Sequence, residues 1–106
     1  MRRFSALELH QHLGSGDNKP LLLDVREPWE FDYCQIDGSV LIPMGQIEYH
    51  MDNLDKDTET VVICHHGIRS RQVCYYLEHI GFSNVINLEG GVEAWADDVE
   101  PQMKRY

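Results

Sequence analysis

Short apolar runs recur along the chain and are separated by polar segments. Residues 21–25 are apolar apart from Asp24, and residues 60–63 are Thr-Val-Val-Ile, which are all β-branched. Runs of this length and composition are typical of strands that are buried on both faces of a sheet. Residues 40–42 and 84–88 have the same character and predict two further strands.

The segments between these strands carry helix signals. Residues 5–8 have the form of a capping box, in which Ser5 and Glu8 cap the helix reciprocally, and the helix is expected to end near Gly14. Further helices are predicted near residues 28–31, 46–54, 73–80 and 91–95. Residues 97–106 have no clear pattern, and we expect this tail to be loosely held.

Strands that alternate with helices predict an α/β fold with a mostly parallel sheet and helices on both faces. A chain of 106 residues is the size of one domain, so residues 1–106 are expected to form a single unit. In parallel sheets of this kind, ligands bind beyond the carboxyl ends of the strands. That rule directs attention to the residues that follow Ile63 and Val25.

Composition and charge narrow the classes of partner. The chain is 42% hydrophobic and 25% charged, as in ordinary globular proteins, and its longest apolar runs are too short to cross a bilayer. No apolar segment follows the basic residues near the start, so a cytoplasmic location is expected. The formal net charge of −9 repels phosphate backbones. We therefore expect neither nucleic acid nor a membrane as a partner.

Of the three cysteines, Cys64 has the surroundings of a reactive thiol. It ends a strand and begins a loop that leads into a helix, with the sequence CHHGIRS over residues 64–70. A helix N-terminus, and the successive amides of a tight loop containing Gly67, favour a negative charge on sulfur. Arg69 and the two histidines add local positive charge, so Cys64 is predicted to be a nucleophilic thiolate.

The sequence of this loop is also compatible with two other interpretations. Cys64 could be a small buried hydrophobe that merely ends its strand. Cys64, His65 and His66 could instead bind zinc, but adjacent ligands on one loop rarely converge on one ion, and no C-x-x-C or H-x-x-x-H pair completes the set. Neither a metal nor a cofactor is expected. An odd number of unpaired cysteines also argues against a disulfide framework.

Five segments of the chain, taken in order, resemble the single-domain rhodanese family of sulfurtransferases. They are LLDVREPWEF (22–31), IDGS (36–39), CHHGIRS (64–70), LEHIGF (77–82) and LEGGVEAW (88–95). The resemblance implies a five-stranded parallel sheet and a persulfide on Cys64. The implied partners are a small sulfur donor, such as thiosulfate, a persulfide or a polysulfide, and a thiol or cyanide acceptor. The loop from His65 through His66, Gly67, Ile68 and Arg69 to Ser70 is implied to cradle the sulfur.

The length of the loop separates sulfur chemistry from phosphorus chemistry. Related phosphatases and arsenate reductases use a Cys-x5-Arg loop that wraps a tetrahedral oxyanion. Here Arg69 stands one position too early, and Ser70 occupies the position of the arginine that a phosphatase requires. The shorter loop is expected to close around a single sulfur, which disfavours a phosphatase.

The chain departs from the family pattern at two places. Cys34-Gln35-Ile36 stands where the family usually has Gly-His-Ile, which makes Cys34 a candidate second thiol. His65 and His66 occupy positions at which some thiosulfate-specific members carry arginine or lysine. Histidine is only partly charged at neutral pH, so a preference for thiosulfate does not follow from the resemblance.

Several residues near the loop have structural interpretations. Asp24 is expected to anchor backbone amides, and Arg26 is expected to form an ion pair with Glu30 beside the site. Cys74 is predicted to be a core residue. Two alternatives to an enzyme with small substrates stay open at this point. One is a non-catalytic module that docks proteins or senses sulfur, and the other is a carrier whose acceptor is another protein's cysteine.

Overall fold

A five-stranded, all-parallel sheet forms the centre of the molecule, with strand order β1-β5-β4-β2-β3. The computed structural model describes residues 1–16 and 19–106. The strands are β1 (Arg2–Phe4), β2 (Leu21–Asp24), β3 (Val40–Leu41), β4 (Thr60–Ile63) and β5 (Val85–Leu88). The helices are α1 (Ala6–Gly14), α2 (Pro28–Tyr33), α3 (Ile68–His79) and α4 (Gly91–Asp98), and a 3₁₀ helix spans Met44–Asn53.

The register of the central strands brings the ends of β2 and β4 to the same edge of the sheet. Asp24, the last residue of β2, lies opposite Ile63, the last residue of β4. The amide of Val25 continues the ladder by donating to the carbonyl of Ile63 at 2.9 Å. Cys64 therefore leaves the sheet level with Val25, at the carboxyl edge where ligands of parallel sheets bind.

The two faces of the sheet are covered by separate apolar clusters. Ile63 packs in the cluster that includes residues of α1 and α4, whereas Val62 and Cys64 pack in the cluster with α3 and the 3₁₀ helix. This division follows from the alternation of side chains along a strand. It directs the Cys64 side chain toward α3 rather than toward α4.

The predicted fold class is confirmed, and two elements differ from the prediction. The strand β1 was not predicted from the pattern, because its sequence, Arg2-Arg3-Phe4, has no apolar run. The helix predicted over residues 46–54 is the 3₁₀ helix. Within residues 1–16 and 19–106, no helix is both long enough and apolar enough to cross a membrane.

The prediction of a loosely held tail is also wrong. Helix α4 continues through Asp98, and beyond it Met103 is buried against the α1 and α4 side of the core. Tyr106 packs edge-on against Trp29 and Tyr33, with ring centroids 5.3 and 5.8 Å away. These contacts are distant in sequence, so no local pattern announces them.

Arg26 pairs with Asp24 and not, as the sequence predicted, with Glu30. The Arg26 guanidinium donates to both carboxylate oxygens of Asp24, at 2.8 to 3.1 Å, and both residues are fully buried. Asp24 also accepts the backbone amide of Arg26 at 3.1 Å, which is the anchoring role expected of it. A further bond from Arg26 to the carbonyl of Cys34, at 2.6 Å, ties the end of α2 to β2.

Replacement of Arg26 should therefore be strongly destabilising. In Arg26→Met, Asp24 keeps a buried charge without its partner, which typically costs about 3–5 kcal/mol. Arg105→Met removes an exposed arginine that pairs with Asp97, and it is expected to leave the free energy of unfolding nearly unchanged. Urea unfolding monitored by circular dichroism measures both. Equal losses in the two variants would contradict the role assigned to Arg26.

Candidate active site

Backbone amides of the loop meet the sulfur of Cys64. The Sγ accepts hydrogen bonds from the N–H of Gly67 at 3.0 Å and from the N–H of Ser70 at 3.4 Å. Gly67 precedes the first residue of α3 and has φ +96°, a left-handed conformation that favours glycine. Ser70 lies in the first turn of α3, so its N–H lacks an intrahelical acceptor and is free to face the sulfur.

A buried polar chain, absent from the sequence prediction, holds these two amides in place. The Cys64 sulfur lies 3.3 Å from the hydroxyl oxygen of Ser70, and that hydroxyl donates to the side-chain oxygen of Asn87. The Asn87 amide in turn donates to the carbonyl of Gly67 at 3.2 Å. Asn87 is fully buried on β5, and a polar residue inside an otherwise apolar strand was the signal that could have identified it.

The N-terminus of α4 holds the carbonyls of the loop. The N–H of Val92 donates to the carbonyl of Cys64 at 3.0 Å, and the N–H of Glu93 donates to the carbonyl of His65 at 3.1 Å. Because the C=O and N–H of one peptide plane point in opposite directions, the amides of His65 and His66 are turned away from α4. The loop therefore exposes its amides on one side only.

Gly91 makes this approach possible. A Cβ on Gly91 would lie 2.3 Å from the carbonyl oxygen of Cys64 and 2.4 Å from that of His65, and the residue has φ +57°. Both the space and the backbone conformation exclude a larger side chain. The Gly90-Gly91 pair thus serves the cysteine loop as much as the start of α4.

Gly91→Ala is expected to displace the loop and to destabilise the fold by about 2 kcal/mol or more, because the methyl group meets backbone and not flexible side chain. Gly14→Ala is the matched control, since a Cβ there meets nothing within 4 Å and alanine favours a helix. Thermal unfolding measures the difference. A Gly91→Ala protein as stable as Gly14→Ala would show that the close approach is not required.

Arg69 is held by Glu30 through two hydrogen bonds, each 2.8 Å long. The hydroxyl of Tyr106 donates to Glu30 at 2.7 Å and accepts from Arg26 at 2.9 Å. Tyr106 thereby bridges the Glu30–Arg69 pair and the buried Asp24–Arg26 pair. The hydrogen bonds from Arg69 lower the pKa of Glu30 from 4.5 to about 2.

The lowered pKa of Glu30 predicts acid sensitivity. The carboxylate stabilises the fold fully above pH 4.5, its unfolded pKa, and this contribution disappears as the pH falls toward about 2. The shift corresponds to about 3 kcal/mol. Between these pH values, the free energy of unfolding should fall more steeply in the wild type than in Glu30→Gln. Parallel pH profiles from urea titrations would contradict this assignment.

His65 lies between two other rings. Its imidazole stacks on His66 at 3.9 Å and on Tyr106 at 4.0 Å between centroids. Burial, assisted by the neighbouring His66, lowers the pKa of His65, so this side chain is neutral at pH 7. Its Nε2 is buried without a hydrogen bond, and the nearest carboxylate, Glu93, is 3.4 Å away.

The zinc set considered from the sequence is not assembled. Ligand atoms of His65, His66 and Glu93 lie within 4.8 Å of one another, but Cys64 is not in this group within the described ranges 1–16 and 19–106. The two imidazoles are nearly parallel, at 22°, so their nitrogens do not converge as tetrahedral coordination requires. The sulfur of Cys64 instead faces amides.

The residues singled out from the sequence fall into three groups. Cys64, Gly67 and Ser70 meet at the sulfur. His65 and Arg69 are held by contacts with other elements, whereas His66 and Ile68 are exposed. Asp24 and Arg26 bind each other beneath the site.

Neither of the other two cysteines is hydrogen-bonded to this sulfur in the described part of the chain. Cys34 packs in the cluster on the opposite face of the sheet, and its Sγ lies 3.7 Å from a guanidinium nitrogen of Arg26. Cys74 is buried in α3, where burial raises the pKa of its thiol to about 12, in keeping with its predicted core role. Gln35 donates to the carbonyl of Phe31 at 3.0 Å, so it closes α2.

Comparison with known proteins gives a consistent set of relatives. A profile of the rhodanese-like domain matches residues 5–98. YtwF of Bacillus subtilis, whose name proposes a sulfurtransferase, is 45% identical over 86 residues, which are 81% of this chain and 82% of that protein. An Allochromatium vinosum protein named sulfurtransferase is 41% identical over 76 residues, covering 72% of this chain and 71% of its own.

Solved structures agree with the sequence relatives. The crystal structure of a rhodanese-like domain protein from Staphylococcus aureus superposes with a TM-score of 0.85 at 31% identity. The match covers 93% of this chain and 95% of that one. The similarity therefore extends over the sheet, its helices and the cysteine loop together.

Proposed function

The chain belongs to the rhodanese-like domain family, whose relatives named sulfurtransferases indicate sulfur transfer, and we propose that it carries a sulfane sulfur as a persulfide on Cys64. The observation that carries this proposal is the pair of amides, from Gly67 and Ser70, that donate to the Cys64 sulfur. Hydrogen bonds from uncharged donors stabilise a thiolate without requiring a proton acceptor.

In the first half-reaction, the Cys64 thiolate attacks the outer sulfur of a donor. A bond forms between Sγ and that sulfur, and the bond between the donor's two sulfurs breaks. Thiosulfate would leave as sulfite. A persulfide, R–S–SH, would leave as the thiol R–SH, which takes up the proton that the outer sulfur of the persulfide carried. The enzyme then holds Cys64–S–S⁻, which bears one negative charge, as the thiolate did.

In the second half-reaction, an acceptor attacks the outer sulfur and the Cys64 thiolate is regenerated. Cyanide would leave as thiocyanate, and a thiolate would leave as a persulfide. Both states of the enzyme need the same single charge to be stabilised, so fixed dipoles serve throughout. The N–H groups of Ile68 and Arg69, which begin α3 and lack intrahelical acceptors, are available to the outer sulfur.

Burial of Cys64 protects the persulfide but restricts access to it. Only 1% of the residue is exposed, and it lies beneath a loop whose outermost side chain, Ile68, is 63% exposed. A donor must therefore displace loop side chains to reach Sγ. The hydrogen bond from the Asn87 side chain to the carbonyl of Gly67 keeps the loop amides in place while these side chains move. Asn87 is therefore assigned a positioning role.

Mass spectrometry tests the proposal directly. After exposure to thiosulfate or cysteine persulfide, the protein should gain one sulfur, about 32 Da, on Cys64, and cyanide should remove it. Cys64→Ala should gain none, because the other thiols do not face loop amides. Cys74→Ala keeps the site and is the matched control.

Three results would redirect the assignment. Absence of an adduct from every sulfane donor would favour a docking or sensing module over an enzyme. A stable adduct that passes only to a protein cysteine, and neither to cyanide nor to small thiols, would identify a protein-to-protein sulfur carrier. Turnover of p-nitrophenyl phosphate dependent on Cys64 would restore the phosphatase interpretation, which the loop of residues 64–70 disfavours.

A further inference from the structure

The arginine of the cysteine loop is fully occupied by a carboxylate. Both terminal nitrogens of Arg69 donate to Glu30, each to a different oxygen. The Glu30 side chain is only 6% exposed and the Arg69 side chain is 35% exposed, so water screens this pair less than it screens a fully exposed one. Tyr106 adds a third hydrogen bond to the same carboxylate and so fixes its orientation. The Arg69–Glu30 pair therefore has no net charge and adds no positive charge at the entrance to the cysteine loop.

The other cations on this side of the molecule are also engaged. Arg26 is buried against Asp24. Arg71, on the same helix as Arg69, faces Glu89 at 3.6 Å. Lys104 lies over the ring of Tyr33, and His65 is uncharged at neutral pH. Within residues 1–16 and 19–106, the arginines that lie on or beside the cysteine loop, Arg26, Arg69 and Arg71, each have a carboxylate partner.

We propose that Glu30, by holding Arg69, makes this site selective for persulfide donors over thiosulfate. This inference rests on the proposed sulfur transfer and concerns only the class of donor. The loop supplies amides for one negative sulfur but no cation for a second negative group. In a protein of net charge −9, an additional anionic group is also repelled from a distance.

The reactions with thiosulfate and with a persulfide differ in the number of negative charges that they place in the site. With thiosulfate, Cys64–S⁻ and S–SO₃²⁻ give Cys64–S–S⁻ and SO₃²⁻, so three negative charges share the site throughout. With a persulfide, Cys64–S⁻ and R–S–SH give Cys64–S–S⁻ and R–SH, so one charge is present on each side. The amides of Gly67 and Ser70 match the second case, whereas the first requires a cation near the sulfonate.

The test compares the ratio of kcat/KM for cysteine persulfide to kcat/KM for thiosulfate, with cyanide as the acceptor. In the wild type we expect a ratio above about tenfold. Glu30→Gln frees the charge of Arg69, and the ratio should fall about fivefold or more through a gain with thiosulfate. Glu48→Gln, at an exposed carboxylate on the 3₁₀ helix, makes the same change in net charge and should leave the ratio unchanged.

Ionic strength gives a second readout that needs no variant. In the wild type, kcat/KM for thiosulfate should rise as salt increases from about 0.01 to about 0.15 M, because screening weakens the repulsion by the acidic protein. With Arg69 free, in Glu30→Gln, it should rise less or fall. Circular dichroism establishes that Glu30→Gln is folded, and if it is not, the wild-type salt profile decides alone.

The outcomes are distinguishable. Thiosulfate used as well as cysteine persulfide by the wild type, or a thiosulfate rate that falls with salt, would overturn the inference while leaving sulfur transfer intact. Equal ratios in folded Glu30→Gln and in Glu48→Gln would overturn the role of Glu30. No sulfur on Cys64 from either donor would overturn the proposed function itself, and donor selectivity with it.

Discussion

Two hydrogen bonds from the start of α4 to the carbonyls of Cys64 and His65 govern the geometry of the whole site. Without them, the peptide planes of the loop could turn either way, and the sulfur could face oxygens as readily as N–H groups. With them, the loop has a carbonyl side and an amide side. The same contact lets two helix N-termini share one loop, since the unpaired amides of α4 bind its carbonyls and those of α3 reach the sulfur.

The formal charges of the arginines and carboxylates at the site cancel in pairs. The electrostatic potential at the sulfur therefore depends on the dipoles of the backbone amides. Asp24 neutralises Arg26, and Glu30 neutralises Arg69, while Tyr106 joins the two pairs. In the proposed mechanism, backbone dipoles therefore stabilise the anionic sulfur without a free cation beside it. The pairs contribute rigidity instead, since a buried, bidentate arginine leaves its neighbours little freedom to move.

The features that could be predicted from the sequence are those that depend on a local sequence pattern. The strands around Cys64 have apolar runs, so the fold class could be predicted, and the cysteine loop is contiguous, so Cys64 could be identified as the candidate nucleophile. The Arg26–Glu30 pair was predicted wrongly because a separation of four residues suggests neighbours on a helix, whereas α2 begins only at Pro28. Arg26 thus lies outside the helix and turns back to Asp24.

The contributions of Asn87 and Tyr106 could not be predicted because they are long-range. Asn87 is 20 residues from the carbonyl that it binds, and Tyr106 is 76 residues from Glu30. No sequence signature marks either spacing, yet Asn87 binds the loop through a buried hydrogen bond, and Tyr106 binds the carboxylate that holds Arg69. A loop that must hold a charge without moving requires such supports, because backbone amides stabilise an anion only as well as their own orientation is fixed. The geometry of the candidate site therefore depends as much on residues that do not contact the sulfur as on the CHHGIRS segment itself.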